Sequence, residues 1–129
     1  MEHRELPVKV LGIAWIGIVG AHPSTRAFYR DLLSPDLLES DEAYDYYEVG
    51  ATTRLEILTP GTPSARRQRP SAPAIGFLVD DLDEAVRQLE GTSVVQAPPI
   101  HEWRSGGDRH RWIYLRDPDQ NVLLLVERR

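Results

Sequence analysis

The chain offers a short list of groups able to do chemistry. It has 129 residues with no cysteine and four histidines, so disulfides, thiolate metal sites and cysteine nucleophiles are excluded. Carboxylate, imidazole, guanidinium and aromatic groups remain. Glu56 is the first candidate. In the string RLEIL it alternates with Leu55 and Ile57, which puts it on the strand face opposite those two aliphatic residues. A carboxylate buried among aromatics has its pKa raised toward neutrality, where it can serve as a general base. No partner acid, Ser–His–Asp set or phosphate-loop spacing accompanies it, and the Gly106-Gly107 pair lacks that spacing too.

The second candidate is residues 101–116, HEWRSGGDRHRWIYLR, where Arg104, Arg109, Arg111 and Arg116 join His101 and His110 against Glu102 and Asp108. One reading is a lid, with Gly106 and Gly107 as hinges, Trp103 as an apolar cover and the cations attracting an anionic ligand. The other is a solvated connection whose charges offset an acidic first half. A metal pair of His101 and His110 has only Glu102 or Asp108 nearby as a third ligand, which disfavours it. His3 lies in a tail and His22 at a helix start, where exposure is the default.

Composition bounds the rest. A hydrophobic fraction of 41% and a charged fraction of 27% over 14.6 kDa describe one globular domain and exclude two large ones. The net charge is −5, with ten acids against five bases in residues 1–60 and ten against ten in 61–129; that balance gives no basic surface for nucleic acid. No apolar run approaches the roughly 20 residues a bilayer span needs, and the start MEHRELPVKV is not of signal-peptide type. The expectation is a soluble, cytoplasmic protein without membrane or nucleic-acid partners.

These residues need elements to position them. Residues 8–20 have the period of a strand, with Val10, Ala14, Ile16 and Ile18 on one face and Trp15, Gly17 and Val19 on the other. Pro23 suits a first helical position, and Ala27, Phe28 and Leu32, with Tyr29 and Leu33, recur at helical spacing until Pro35. Residues 43–49 and 53–58 form a hairpin around Gly50. Residues 60–73, with four prolines and three arginines, read as an exposed linker. A strand at 74–79 carries Ile75, Phe77 and Val79 on one face. Asp81 then opens a helix in capping-box fashion, with Glu84 reaching back and Gly91 as a stop. A short strand at 93–95, a loop at 97–107 and strands at 111–116 and 121–127 around the turn 117–120 complete the chain. Strand, helix and three strands thus occur twice, at a period of about 60 residues, too long for a solenoid and suited to a duplicated module. Module one spans 8–60, the linker 61–73 and module two 74–127, within one domain of residues 1–129.

The double layout, with AFYRDLL at 27–33, RLEILTP at 54–60, IGFLVDDLDEAVRQL at 75–89 and YLRDPDQNVLLLVE at 114–127, resembles the vicinal oxygen chelate superfamily. This is the family of glyoxalase I, extradiol dioxygenases, methylmalonyl-CoA epimerases and bleomycin-resistance proteins. The resemblance implies an α+β fold of two βαβββ modules, whose curved mixed sheets enclose a cavity. In metal-dependent members four strand positions supply the ligands. Carried onto this sequence they fall on Ala14 or Trp15, on Glu56, on Ala74 and on Leu124. Only Glu56 is a ligand type, and one carboxylate does not hold a catalytic divalent ion. Gln120 stands where the family turn has glycine.

The resemblance therefore implies no metal and no cofactor. It implies a cavity in which Trp15, Trp103, Trp112 and Tyr114 offer aromatic surface, Leu124 an apolar wall, and Arg54 and Glu56 a cation and an anion to orient a small aromatic or amphipathic molecule. The competing expectation for Trp15 and Tyr114 is a repacked core, with Glu56 paired to Arg54. The functional expectation is a sequestering protein similar to the bleomycin-resistance branch, acting as a homodimer, sometimes with exchanged N-terminal arms. The alternatives are a glyoxalase-like lyase or isomerase, or a dioxygenase, using Glu56 with His101 or His110, and a regulatory module whose pocket is filled by side chains.

Overall fold

The central strand β1 (Val10–Val19) pairs in parallel with β4 (Arg54–Leu58) on one side and antiparallel with β5 (Ala74–Val79) on the other. The computed structural model describes residues 8–68, 72–90 and 99–129. Within them β2 (Leu37–Ser40) and β3 (Tyr44–Glu48) extend the sheet beyond β4, while β8 (Val122–Arg128), β7 (Asp108–Arg116) and β6 (His101–Ser105) extend it beyond β5. The order is β2-β3-β4-β1-β5-β8-β7-β6. The parallel β5–β8 pair mirrors the parallel β1–β4 pair, so the two βαβββ modules join through the antiparallel β1–β5 contact. The sheet is curled until its far parts touch: the Trp103 ring of β6 meets Tyr44 and Tyr46 of β3 edge-on, at 6.3 and 5.3 Å. This is the α+β architecture expected.

Two helices cover the convex face. On α1 (Thr25–Leu33), Tyr29 and Leu33 pack over Ile16, Ile18, Tyr47, Leu55 and Ile57. Phe28 and Leu32, expected to point inward, are 62% and 63% exposed. The inward stripe is instead 26, 29, 30 and 33, because Arg26 and Arg30 reach the fully buried Asp45 at 2.7 and 2.6 Å. Burial alone would raise the Asp45 carboxyl, but hydrogen bonds from Arg26, Ser40 and Arg30 outweigh it and hold the group below the usual carboxylate range.

On the other half, α3 (Leu82–Leu89) buries Leu82 and Ala85 against Val79, Ile113 and Leu125. Asp81 accepts from the Glu84 amide at 3.1 Å as a cap. The reciprocal arm of the capping box is not formed: Glu84 pairs with Arg87 and accepts from Gln88. Glu127 Oε2 instead accepts from the Leu82 amide at 2.8 Å.

Three further expectations change. Strict alternation put Ala14 with Ile16, yet the β1–β5 register slips between Ile13 and Trp15, and this bulge turns both Ala14 and Trp15 to the concave side. Residues 101–105, read as part of a loop, pair with β7 through a two-residue turn in which Gly106 and Gly107 both have positive φ (58° and 91°). Two glycines there make a primed hairpin turn, so the segment is a sheet hairpin. The linker is not simply exposed: a short helix α2 (Pro63–Arg66), capped by Thr62, buries Ala65, and Gln68 is buried as well. The arm 1–7 with His3, linker residues 69–71, the Gly91 stop, the strand at 93–95 and the start of the 97–107 loop lie outside the described residues. Among the described residues no helix is long and apolar enough to cross a membrane.

Candidate functional site

Glu56 occupies the middle of β4, opposite Gly17 on β1 and Tyr46 on β3. The alternation that sends Leu55 and Ile57 under α1 sends Glu56 to the concave side. The Trp15 indole, on the same face, donates from Nε1 to Glu56 Oε1 at 2.9 Å. Glycine at 17 is what lets the ring lie there, since a Cβ would collide with the Trp15 ring and the Gln68 amide. Burial drives the Glu56 pKa from 4.5 to about 7; the Trp15 bond opposes this, and the charges of Asp41 and Glu39 add to it.

The concave face encloses a cavity of about 380 Å³, in the size range of small-molecule sites. All three tryptophans of the chain line it, Trp15, Trp103 and Trp112, together with Tyr44, Tyr46 and Tyr114. Leu124 contributes an apolar wall, continuous with the buried cluster of Ala14, Ala74 and Val126. The Trp112 indole Nε1 is buried and, among the described residues, has no hydrogen-bond partner. The described side chains leave this space open.

Of the residues expected in the cavity, Trp15, Glu56, Trp103, Trp112, Tyr114 and Leu124 meet there, and Arg54 does not line it. Arg54 shares the Glu56 face but sits at the start of β4, with its side chain 11% exposed, and its ion partner is Glu48 at 3.9 Å, not Glu56. The hairpin cations are largely occupied: Arg109 pairs with Glu102, and Arg111 with Asp83 and Glu127 on the convex side. The two histidines separate. His101 stacks on Trp112 at 5.7 Å, and its pKa is lowered by burial and then by Arg67. His110 lines the cavity beside Trp103 at 5.2 Å and is lowered by burial and then by Arg128.

Sequence reasoning missed Tyr44, Tyr46 and Arg128 as cavity residues and named His110 only in the enzyme alternative. Each was reachable by alternation: Tyr44 and Tyr46 flank the inward-buried Asp45, His110 precedes Trp112 and Tyr114 by steps of two, and Arg128 continues Leu124 and Val126. It also missed the lip formed by Thr62, Pro63 and Ser64. Beside that lip Arg67 stacks its guanidinium over Tyr114 at 4.6 Å.

With this geometry in hand, the comparisons with known proteins define the class. A family model for the Glyoxalase/Bleomycin resistance protein/Dioxygenase superfamily matches residues 12–125, and the chain belongs to that superfamily. No curated protein sequence matches it. Methylmalonyl-CoA epimerase from Mycobacterium tuberculosis superposes with TM-score 0.61 at 21% identity, covering 97% of this chain and 93% of that one. A superfamily member from Vibrio splendidus gives 0.57 at 10%, over 88% and 96%. A variant of 4-hydroxymandelate synthase from Streptomyces coelicolor gives 0.57 at 14%, over 95% of this chain and 49% of that one. At these identities the likeness is one of fold.

The side chains present do not fit the divalent metal of the superfamily's metal-dependent members. Ala14, Trp15, Ala74 and Leu124 have no ligating atom, and the described residues hold no group of three His, Asp or Glu able to hold a metal ion.

Proposed function

We propose that the protein binds a small, flat aromatic or amphipathic molecule in the concave cavity by stacking, without a metal, and so sequesters it in the manner of the bleomycin-resistance branch. The observation that carries this reading is the placement of every tryptophan around one cavity of about 380 Å³. Aromatic walls take a planar ligand at little entropic cost. Calorimetric titration with a panel of two-ring aromatics tests it: binding at one site per chain is expected, and Trp112→Ala should weaken it by about 1–3 kcal/mol. Unchanged affinity in that variant contradicts the site.

This reading keeps the protein in the cytoplasm and includes a homodimer, for which the exposed pair Phe28 and Leu32, one turn apart on α1, offers apolar surface. Sedimentation of wild type against Phe28→Ser/Leu32→Ser tests that part.

One observation favours an enzyme instead. Glu56, with a pKa near 7 and facing a cavity large enough for a substrate, has the properties of a general base for proton abstraction. Turnover lost in Glu56→Gln with binding retained would move the protein to the isomerase or lyase reading.

A further inference from the structure

We propose that the cavity selects an amphoteric aromatic molecule, with Arg128 receiving an acidic group at one end and Glu56 a protonated nitrogen at the other. The inference rests on the small-molecule reading above and names the ligand class of that same site.

Both charged groups line the cavity, and neither forms an ion pair among the described residues. Glu56 accepts from the neutral Trp15 indole. Arg128 donates to the Thr52 backbone oxygen at 2.8 Å and makes no ion pair among the described residues. The neighbouring ions differ: Arg54 pairs with Glu48, and Glu102 with Arg109.

Glu56 lies on β4 and Arg128 on β8, which are not neighbours in the sheet. Glu56 lies opposite Tyr46, the Tyr46 ring meets Trp103 at 5.3 Å, Trp103 lies opposite His110, and His110 lies opposite Arg128. Contacts thus run from Glu56 through Tyr46, Trp103 and His110 to Arg128, and Tyr46 feels both charges. Because Tyr46 and Trp103 meet edge-on at 87°, a flat molecule stacks on one of these rings while its two ends reach toward the two charges.

Like charge crowds the Glu56 end, where Asp41 and Glu39 add their negative charge. At Arg128 burial and the charge of Arg54 act against the cation, opposed by Tyr46, Asp108 and Glu48. A ligand cation at the first end relieves the crowding, and a ligand anion at the second offsets the burial of the guanidinium.

Four naphthalene probes test this by calorimetry at pH 8: one with a carboxylate on one ring and an aminomethyl group on the other, one with the carboxylate alone, one with the aminomethyl group alone, and a neutral naphthylmethanol. The amphoteric probe should bind wild type at least about tenfold tighter than either singly charged probe, the scale of one favourable charge contact. Glu56→Gln should bring its affinity down to that of the carboxylate probe, and Arg128→Met to that of the aminomethyl probe. Equal affinity for all four overturns the amphoteric selection while leaving aromatic binding intact. Binding by none of them overturns both. The wild-type series decides the question even where a variant fails to fold.

Discussion

Trp15 and Glu56, forty-one residues apart in sequence, meet through one hydrogen bond of 2.9 Å across the β1–β4 pair, and Gly17 between them is the residue that leaves room for the ring. The bond ties the largest side chain on β1 to a cavity carboxylate of β4. Gly17→Ala should displace the indole, cost about 1–3 kcal/mol through overpacking, and shift Trp15 fluorescence. Chemical unfolding with emission as the probe measures both.

The raised Glu56 pKa has a definite stability sign. The folded state holds this proton more tightly than the unfolded chain, so the group costs nothing below about pH 4.5, and its penalty develops as pH rises toward 7. The groups facing it are Trp15, Asp41, Glu39, Tyr44 and Tyr46. Both tyrosines are pushed up to about 12, chiefly by burial, and stay neutral through this range. Glu56→Gln should therefore be more stable than wild type by roughly 2–3 kcal/mol at pH 8 and equal to it near pH 4. Denaturant titrations at the two pH values check the difference.

Asp45 behaves oppositely. Its lowered pKa contributes stability that is present above the ordinary carboxylate range and lost as pH falls through the folded-state value. Asp45→Ala leaves Arg26 and Arg30 without their shared acceptor. The expected loss is about 2–3 kcal/mol at pH 7, below that of a fully buried pair because both guanidinium groups remain partly in solvent. Thermal unfolding across pH 3–7 should show wild type converging on the variant as it is acidified.

Gln120 holds φ of 69° in the turn before β8, a backbone region that disfavours a side chain. Gln120→Gly should stabilise the protein by about 0.5–1 kcal/mol, the relieved strain being partly offset by a more flexible unfolded chain. A lower melting temperature in this variant would contradict the strain argument.

Much of the site was legible because strand alternation is a strict rule. Glu56, Trp112, Tyr114 and Leu124 each sit on the face their neighbours in sequence require. The misreadings trace to local events that override the period. A bulge on β1 brought Ala14 to the face of Trp15. On α1 the buried acceptor Asp45 turned the arginine positions inward and left Phe28 and Leu32 outside. The 60–73 segment looked like a linker because prolines dominate it, yet Thr62 followed by Pro63 is a helix-start signal, and that turn carries part of the cavity lip. Curling of the sheet was not readable from either half alone, since it rests on Trp103 of one module meeting Tyr44 and Tyr46 of the other.

The central claim is that one aromatic cavity binds a planar molecule, and the three indole N–H signals of a nitrogen-edited NMR spectrum report on it directly, because Trp15, Trp103 and Trp112 all line that cavity. Titration with the four naphthalene probes should move all three signals with a common affinity. Amides of α3, on the far side of the sheet, should stay in place. Indole signals unmoved by every probe, or shifts confined to the convex face, would contradict the account.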